Sequence, residues 1–571
     1  MPILETPAEC RIRISGQEIK HLISRVELNQ FDDDHHVLKV TIKQGGTLAK
    51  TDFDDPSVYT AFLGESIAVT ITPTGGAIDS SKELEFIGIV SEVSLDNSID
   101  GLNTVLVTAH SPTKALDGSK HNAFFHEQKS SDIIGAILRN YQITLGKVES
   151  TDKTLEFSVQ YGETDYEYLM RLAYASGKFA LYDGKEFKVT APGSSDTEEL
   201  VWRESLGVFS VGLGTQPMEF DSQIYNYRQK KTYSQDSKSL SQQASLSDLS
   251  KLSHDASGKV YSDTGFVEAP IVEDARSLDN ILERERSQAM GRMIICKGES
   301  IIPKVSVGHC VSINGMPELL NRTYWVKSIK HVFDESGKYH NTFECTPLDM
   351  AFPKVMSRKR SLTHLQPAVV VDNNDPDKLG RIKIKFPWSS SDETPWARYL
   401  AMEAGKDRGW FWLPEIDDEV LVGFEYGNPN MPIVLGSLYN KDDSPISQAA
   451  SDKNLVKMLT TKSGNQILFN DESGKEEIQI SMKDGKNQLI LSLDGPKITL
   501  KSDGGDISIQ GKNISIESDE KITLKTGSNL ELNSGADLQM EASGNFKSKA
   551  TGNFDAEGAM VNVKGNPINL N

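Results

Sequence analysis

Short clusters of histidine and carboxylate side chains are the residues of this chain that could carry chemistry. The run "DDDHH" (32–36) offers carboxylate oxygens and imidazole nitrogens, which are common ligands of divalent metals. In "HNAFFHE" (121–127), His121 and His126 lie five positions apart, and no third ligand is evident beside them. We interpret the first run as a solvated turn between two strands and the second run as structural.

Two acidic stretches later in the chain raise the alternatives of calcium binding and glycoside hydrolysis. The segment "DNNDPDKLG" (372–380) looks like a calcium loop, but Pro376 occupies a ligand position and no glutamate follows at position twelve. We interpret it as a turn before Gly380. A second acidic group could supply the two carboxyl groups of a glycosidase: Glu415, Asp417, Asp418 and Glu419.

The overall composition disfavours several classes of function. Among 571 residues, Asp and Glu number 81 against 61 Lys and Arg, which gives a formal net charge of −20. Such a balance argues against nucleic-acid binding, which needs a basic face to meet phosphates, and it disfavours docking on an anionic membrane. The mean hydropathy is −0.39, and no apolar run approaches the roughly 18 residues of a membrane-spanning helix.

The start of the chain and its cysteines indicate where the protein folds. The opening "MPILETPAECRIRISGQE" has no basic region followed by an apolar run, so we expect no signal peptide. The four cysteines are Cys10, Cys296, Cys310 and Cys345, and none has CxxC spacing. We interpret them as free thiols of a reducing compartment. The expected site of folding is the cytoplasm, with any export independent of the general secretory route.

Residues 1 to about 230 have mainly the pattern of half-buried strands. Apolar and polar residues alternate in "RIRISGQEI", "HVLKVTIKQ", "SIAVTITPT" and "TVLVTAH". Helical spacing appears in "SSDIIGAILRNY", whose Ser-Ser-Asp start can cap a helix. It appears again in "TDYEYLMRLAYASGK", with Thr164 or Asp165 as the cap and Gly177 near the end.

The chain between residues 233 and 440 predicts three further kinds of structure. The polar segment 233–263 predicts a mobile loop or excursion, and 277–293 predicts a helix. After a break, residues 368–440 contain "GRIKIKF", "WARYLAM", "EVLVGFEYG" and "PIVLGSLYN", separated by turn residues. Short strands at this density in so compact a segment predict an OB-like barrel.

The last part of the chain repeats about every eight residues. Beyond a linker at 441–465, apolar anchors recur at successive steps of 9, 7, 8, 8, 8, 8, 8 and 7 residues. A fixed short period indicates a solenoid, in which each repeat buries its apolar face only against neighbours. The predicted core anchors of these octads are Ile498, Ile507, Ile514, Ile522, Leu530, Leu538, Phe546, Phe554 and Val561.

An octad is too short to enclose a core by itself. Its apolar side chains at i and i+2 project from one face of a strand, and glycine turns redirect the chain. Three chains wound around one axis would each supply one wall of a prism and would pair every strand edge. The octads therefore predict an obligate homotrimer. A disordered tail and a single-chain calcium β-roll are the alternatives, although the glycine-rich calcium turns of a β-roll are missing.

An ordered set of motifs occupies the middle of the chain. They are DP-x-KLGR-x-K-x-x-FPW (375–388), W-x-R (396–398) and G-W-x-x-LPE-x-x-DEVLVGF-x-x-G-x-P-x-x-P-x-x-LGS-x-YN (409–440). Upstream, "SVQYGETDYEYLMRLAYASGKFALYDG" (158–184) contains a Q-Y-x-E-[ST]-D helix segment. Together with the octads, these motifs closely resemble VgrG spike proteins over almost the whole chain. In that resemblance the acidic group at 415–419 is the entry to a strand.

The resemblance implies a mainly β architecture with an α+β N-terminal hub. Residues 1–360 correspond to a phage-hub-like region with two β-barrels and the flexible excursion at 233–263. Residues 361–440 correspond to an OB-fold domain and 441–465 to a neck linker. Residues 466–571 correspond to the needle, an intertwined triple-stranded β-helix formed by a homotrimer. Two barrels in each of three chains would present six similar faces to a sixfold tube.

The resemblance also implies a function and a set of partners. Such spikes sit at the tip of a contractile injection tube in type VI secretion systems, phage tails or extracellular particles, and they puncture the target envelope. The expected partners are an Hcp-like first tube ring, baseplate proteins and a PAAR-type tip protein, which can bring effectors. No stable membrane insertion is expected before firing. The predicted contact with the tip protein comprises Asn566, Pro567, Ile568, Asn569 and Leu570.

A structural rather than enzymatic role is expected. The neck is too short for the lysozyme domain of some phage needles, and the sequence printed here ends directly after the last repeat. We therefore predict no catalytic residue, cofactor or metal. The competing hypotheses are a tail-spike polysaccharide depolymerase and an adhesion fibre on a similar prism. The basic "SRKR" (357–360) is interpreted as a solvated linker, with a place lining the hub as the alternative.

Overall fold

The described part of the chain forms two compact units. The computed structural model describes residues 4–19, 22–43, 61–76, 78–97, 103–149, 154–194, 196–240, 246–267, 275–354, 364–389, 394–493 and 495–569. The first unit ends at Pro445 and the second begins at Ile446. The "SRKR" segment and Leu570 lie outside the described residues.

The strands of the first unit fall into a hub and a smaller barrel. The hub strands are β1 (Thr6–Ile14), β2 (Gln17–Glu18), β3 (Leu22–Phe31), β4 (Val37–Lys43), β5 (Ser66–Pro73), β6 (Leu84–Asn97), β7 (Asn103–His110), β8 (Lys120–Lys129), β9 (Leu145–Val148), β10 (Thr154–Thr164), β11 (Phe179–Tyr182), β12 (Phe187–Thr190), β13 (Thr197–Val201), β14 (Leu206–Leu213), β15 (Phe220–Asn226), β16 (Lys231–Asp236), β17 (Gly265–Phe266), β18 (Ile294–Ser300), β19 (Cys310–Asn314), β20 (Thr323–Asp334) and β21 (Lys338–Pro347). The barrel strands are β22 (Gln366–Asp372), β23 (Lys383–Lys385), β24 (Arg398–Tyr399), β25 (Ala404–Gly405), β26 (Arg408–Gly409), β27 (Glu419–Phe424) and β28 (Pro432–Ser437).

Helices are a minor component of the hub. The α-helices are α1 (Ser130–Leu138), α2 (Asp165–Ala175), α3 (Asp248–Val260) and α4 (Ala275–Met290). Short 3-10 turns cover Pro112–Asp117, Ser237–Ser239, Leu348–Met350 and Glu425–Gly427. No helix within the described ranges has the length and apolar character that crossing a membrane requires.

Two rings of strands build the hub. Within the described residues, eight strands pair in the closed order β20, β3, β4, β7, β6, β5, β1 and β21. The order β13, β19, β20, β21, β18 and β14 forms a second ring, which an isolated bridge from Trp202 to Leu206 brings near closure. The expected pair of barrels is therefore confirmed, and the structure adds that they share β20 and β21.

The two rings have separate apolar interiors. Alternation places one face of each strand inside, so Ile12, Val69 and Val107 contribute to the core of the first ring. Met293, Val311 and Tyr324 contribute to the core of the second ring. Because β20 and β21 border both cores, a disturbance of this hairpin affects both rings.

The predicted helices around residues 130 and 164 pack together beside the ribbon of β8 and β10. Helix α2 begins with a capping box: the Thr164 hydroxyl accepts from the Glu167 backbone N–H at 3.1 Å, and Glu167 accepts from the Thr164 N–H at 3.0 Å. Gly177, just past its end, has φ +68°, as a helix C-terminus favours. Helix α1 has Lys129 at its N-cap without a side-chain cap, so the predicted Ser-Ser-Asp cap is wrong.

The interpretation of 233–263 as a mobile loop is wrong for much of its length. Residues 231–236 form β16, and residues 248–260 form α3. The helix buries Leu249 together with three serines, Ser250, Ser253 and Ser257, against the second ring. Small hydroxyl side chains allow close packing of the helix, a role that their loop-like composition conceals.

The small barrel lies where the OB-like barrel was predicted and has the predicted class of fold. Strands β23, β22, β27, β28 and β24 pair in that order. Its core combines apolar residues of these strands with three that flank them, Ile382, Phe386 and Ala397. Asp417 and Gly380 adopt positive φ in the turns between strands.

The second unit begins as an antiparallel meander. Its strands are β29 (Val456–Thr460), β30 (Gln466–Asn470), β31 (Glu477–Ser481), β32 (Asn487–Ser492) and β33 (Lys497–Ser502), each paired with the next. Strand β29 lies inside the predicted linker, so the linker interpretation is wrong there. Between residues 503 and 569, the described chain contains no strand paired within the same molecule.

Candidate functional site

The junction between the hub ribbon and the small barrel is built on stacked aromatic rings. Phe124, on β8, lies 4.8 Å from Trp388 and 6.0 Å from Phe386, centroid to centroid, nearly parallel to both. Phe157 on β10 stacks on Phe124 at 5.2 Å, and Tyr161 contacts Trp388 at 5.3 Å. The FPW motif therefore serves as the barrel's half of this junction.

Hydrogen bonds fix the direction of the same contact. The Trp388 indole donates to Gln366 at 2.9 Å, and the Gln366 amide donates to the Tyr161 hydroxyl at 2.8 Å. Asn430 accepts from the backbone N–H of Val159 at 3.0 Å. A stack alone permits sliding, whereas these directional bonds fix the relative position of ribbon and barrel.

A tyrosine from the hub extends between two arginines of the barrel. Tyr227 follows β15, and the Arg398 guanidinium lies 4.5 Å above its ring. Arg398 also donates to Glu425 at 2.7 Å. Asp375 and, to a lesser extent, Tyr227 raise the pKa of Arg381, which indicates that Tyr227 also lies beside this second arginine. The W-x-R and KLGR motifs thus both contribute an arginine to the junction.

A buried ion pair with Asp375 holds Arg381 in place. Arg381 and Asp375 side chains are each 2% exposed, and the Arg381 guanidinium donates to Asp375 at 2.6 Å and 3.0 Å. Backbone N–H groups of Leu379 and Asp377 donate to the same carboxylate. Burial opposes ionisation of Asp375, but Arg381 and these donors together lower its pKa to about 2. The DP-x-KLGR motif is therefore a charged clamp at a turn, as predicted for 372–380, with its carboxylate occupied.

The "DDDHH" run is a buried polar cluster, and its interpretation as a solvated turn is wrong. Asp32, His35 and His36 are 6%, 4% and 0% exposed. The two ring nitrogens of His35 lie 2.9 Å from Thr113 and 2.8 Å from Asp117. Burial lowers the pKa of His36 to about 3 and raises that of Asp32 to about 7.

The remaining acidic and histidine candidates lie on a strand or in the turn before one. His121 and His126 lie on β8, in the ribbon that presents Phe124. Asp418 accepts from the Glu415 backbone N–H at 2.8 Å, just before β27 begins at Glu419, so the predicted strand entry is confirmed. In the part of the chain that the structure describes, no three His, Cys, Asp or Glu residues group as metal ligands would.

The octad stripe, defined by the anchors Ile498 to Val561, is exposed in the single chain. Its nine side chains are 50–75% exposed: Ile498, Ile507, Ile514, Ile522, Leu530, Leu538, Phe546, Phe554 and Val561. Local turns recur between them, as where Ser518 accepts from the Lys521 N–H at 3.1 Å. The predicted tip residues 566–569 are exposed too, with Ile568 at 47%. Their contact with a tip protein stays a prediction.

The sequence identified the motifs of the junction but not what they contact. Phe124 and Tyr227 lie far from the motifs in the chain, and only the fold brings them to Trp388 and Arg398. A signal was present in "AFF", since two adjacent aromatic residues on one strand must face opposite sides. One of them, Phe125, stacks on Tyr168 of α2, and the other, Phe124, faces the barrel.

Two families match the chain, one for each part of the first unit. Residues 7–335 match the family described as the Alg8 N-terminal domain. Residues 366–439 match the family described as the type VI secretion system/phage-baseplate injector OB domain. The second match agrees with the observed barrel and with the OB domain predicted at 361–440.

Known proteins with similar sequences include spike proteins of type VI secretion systems. The type VI secretion system spike protein VgrG1b of Pseudomonas aeruginosa is 27% identical over 32% of this chain and 27% of its own length. VgrG3 of Vibrio cholerae is 23% identical over 75% of this chain and 45% of its own length. In a solved Francisella PdpA–VgrG complex, a chain with a TM-score of 0.57 and 11% identity covers 88% of this chain and 89% of its own.

The matches cover only part of the length of the curated relatives. The chain spans between about a quarter and a half of the length of the curated relatives it matches, and the structural likeness shows the fold. The Alg8 N-terminal domain match covers more than half of the chain. The chain belongs to this family and is a VgrG-like spike protein.

Proposed function

We propose that three copies of this chain form the spike at the tip of a contractile injection apparatus. The observation that carries the proposal is the octad stripe, whose apolar anchors are half to three-quarters exposed at a regular spacing in the single chain. Full burial of one such side chain is worth roughly 1.5–3 kcal/mol. A stripe of this length therefore favours association strongly, and two further copies with the same spacing match it at every level.

The backbone of the octads supports the same arrangement. Among the described residues 504–569, hydrogen bonds within the chain are local turns, and no strand ladder forms. Extended backbone needs partners for its N–H and C=O groups. Strands of two other copies would supply them, giving a prism without exposed edges.

The first unit has features expected of the base of such a spike. The junction joins hub and barrel through stacking, hydrogen bonds and a buried ion pair, so a push on the hub would pass to the barrel without loss of alignment. The barrel also exposes large apolar side chains, among them Met402 at 85% and Phe411 at 79%, which neighbouring copies would cover. Two rings per chain, in a trimer, would offer six faces to a sixfold tube.

The partners follow from this role. We propose that the hub meets an Hcp-like tube ring and baseplate proteins, and that residues 566–570 receive a PAAR-type tip that can bring effectors. The spike would assemble in the cytoplasm, act at the tip of the apparatus and puncture the target envelope. A non-catalytic role is supported by the carboxylates themselves, since Asp375 is paired and Asp418 caps a turn.

Light scattering on the purified chain tests the trimer. Three chains of 63.0 kDa would give about 189 kDa. The test variant replaces Ile514, Ile522 and Leu530 by serine, and the control variant replaces the neighbouring Lys512, Thr523 and Lys525 by serine. We expect the wild type and the control to remain trimers and the test variant to dissociate or aggregate. A monomeric wild type, or a test variant as trimeric as the control, would contradict the winding of three chains.

A further inference from the structure

Two of the four cysteines face each other across neighbouring strands of the hub. Cys296 on β18 is registered directly opposite Cys345 on β21. Both side chains are 0% exposed and lie in the core of the second ring. Burial and the neighbouring Cys296 thiol both raise the pKa of Cys345, as expected for two thiols close together. The other two cysteines are separate, because Cys10 packs on the first ring and Cys310 belongs to a different cluster.

This placement meets the geometric requirements of a disulfide. Directly opposite residues of antiparallel strands have Cα atoms roughly 4.5–5.5 Å apart, and disulfides span roughly 4.4–6.8 Å between Cα atoms. The two side chains of the pair lie in the same buried core, as a disulfide between the two strands requires. Neither Cys10 nor Cys310 has a cysteine registered opposite it.

We propose that Cys296 and Cys345 are a modification site, at which an intramolecular disulfide forms when the protein meets a disulfide oxidant. One thiolate attacks the oxidant's disulfide, forming a mixed disulfide and releasing one thiol. The second cysteine then attacks the mixed disulfide and releases the second thiol. The protein loses two protons and two electrons, and the oxidant's disulfide is reduced to two thiols.

The edge of the sheet gives the oxidant its route. Strand β14 is the outermost strand, and β18 lies between it and β21. Local opening from this edge reaches Cys296 first. Burial and the neighbouring thiol raise the pKa of Cys345, so the closed hub holds it as an unreactive thiol. The pair therefore stays reduced in the cytoplasm and reacts slowly on exposure.

The bond would join the strands that hold the hub together. Strand β21 belongs to both rings, and the disulfide would close a loop that contains β19 and β20. Cross-linking such a loop restricts the unfolded chain and so stabilises the native hub. The expectation that oxidation takes place outside the cytoplasm rests on the proposed function. The ability of the two thiols to form the bond does not.

The test uses the full-length wild-type chain and oxidised glutathione. The protein is incubated with and without a low concentration of urea to promote edge opening, then denatured, alkylated and digested for mass spectrometry. We expect a peptide pair linking Cys296 to Cys345, faster formation in urea, two alkylated cysteines instead of four, and a higher urea midpoint for the oxidised hub. The variant Cys310→Ala should form the same bond, and Cys296→Ala should leave Cys345 free.

Two results would overturn the proposal. One is four alkylated cysteines after long incubation in both conditions, and the other is a bond that involves Cys10 or Cys310 instead. Neither result depends on the oligomeric state, which light scattering measures on the same sample. A monomer that forms the bond would therefore reject the trimer alone, and a trimer that does not would reject the disulfide alone.

Discussion

Arg381 holds the most constrained charge of the barrel. Its replacement by methionine, which keeps much of the volume, would leave the Asp375 carboxylate buried without its partner. Breaking one side of a buried ion pair typically costs about 3–5 kcal/mol. We expect a loss of this size for Arg381→Met in urea unfolding followed by tryptophan fluorescence.

The control for this substitution is Arg408→Met. Arg408 pairs with Glu403, but both side chains are well exposed, at 69% and 60%. Exposed pairs contribute about 0–1 kcal/mol, so this variant should unfold nearly like the wild type. Equal, small losses in both variants would mean that the clamp at 375–381 does not stabilise the barrel.

The buried histidines give the hub a predictable response to acid. His331 is 1% exposed, with its ring nitrogens 2.6 Å from the Tyr339 hydroxyl and 3.2 Å from Gln30. Burial lowers its pKa to about 3, below the roughly 6.5 of an unfolded chain. The unfolded state therefore binds a proton that the native state excludes, and stability falls as pH drops from about 6.5 towards 3.

The substitution His331→Gln tests this linkage. Removing one such histidine should lessen the slope of unfolding free energy against pH by about 1.4 kcal/mol per pH unit in that window. Asp32 acts in the opposite sense, because its pKa of about 7 makes stability fall as pH rises from about 4 to 7. Asp32→Asn should therefore steepen the slope that His331→Gln lessens. If the unfolding free energy measured in urea changes with pH by the same amount in all three proteins across this range, both assignments are contradicted.

These polar clusters show what a sequence conveys about single residues. The interpretation of 372–380 as a turn was correct because its Pro, Gly and Asp residues act locally. The run at 32–36 was misjudged because its cover comes from a 3-10 turn at Pro112–Asp117, which supplies Thr113 and Asp117. Local composition carries no record of a segment that packs on it from a distant part of the chain.

The junction is the element on which alignment of hub and barrel depends. Trp388→Ala removes the ring on which Phe124 and Tyr161 pack and the donor to Gln366. We expect amide exchange in β8, β10 and β22 to quicken by at least about tenfold, a loss of roughly 1.4 kcal/mol of local stability. Hydrogen exchange with mass spectrometry measures each strand separately.

The neighbouring tryptophan is the matched control for the junction. Trp396 lies under the Lys383 ammonium at 5.3 Å, and among the described residues its ring stacks on no aromatic ring of the hub ribbon. Trp396→Ala should leave exchange in β8 and β10 unchanged while perturbing the barrel around β23. A similar increase in the ribbon for both variants would show that Trp388 acts through barrel stability, not through the contact itself.

Helix α3 depends on one carboxylate at its start. Asp349 accepts from the Ser247 backbone N–H at 2.8 Å and from the Ser250 hydroxyl at 3.0 Å. Asp349→Ala should destabilise the helix by about 1–2 kcal/mol, because buried donors lose their acceptor. Asp248→Ala, whose carboxylate is 86% exposed, is the control. Exchange in residues 248–260 should rise in the first variant and stay near wild type in the second.

Periodicity predicted most elements because it acts within one strand or helix. The alternating runs became β1, β4, β5 and β7, and two of the apolar helices became α1 and α2. Helix α3 was missed because three of the four residues on its buried face are serines, which carry no apolar period. The sharing of β20 and β21 by two rings was also beyond prediction, since pairs such as His331 with Leu28 join the two ends of the hub sequence.

At the scale of the whole molecule, the single chain leaves a regular row of apolar side chains exposed. Its octad stripe is exposed, and its described backbone beyond residue 502 has no ladder. The spacing of two apolar residues per octad predicts three chains, because eight residues are too few for one chain to enclose a core. The sequence gives no equivalent signal for the tube, baseplate or tip partners, whose contacts depend on their own surfaces.

If three chains wind around one axis, the rate of subunit exchange should be affected as well as the mass of the particle. A chain held by side-by-side contact can leave a trimer in one step, whereas a wound chain must first lose its ladders level by level. Opening each level exposes apolar anchors and backbone groups together, so the barrier grows with the number of octads. We therefore expect trimers of the full chain to exchange subunits far more slowly than trimers with fewer octads.

Mixing two differently tagged preparations and following mixed trimers by native mass spectrometry measures this exchange. The full chain should show little mixing over days, and a variant ending after Ser534 should mix faster because it retains fewer levels. The control variant with serine at Lys512, Thr523 and Lys525 should exchange as slowly as the full chain, since its anchors are intact. Full-length trimers that mix as fast as the shortened ones would mean that the octads associate side by side, and the wound prism proposed for the octads would lose its support.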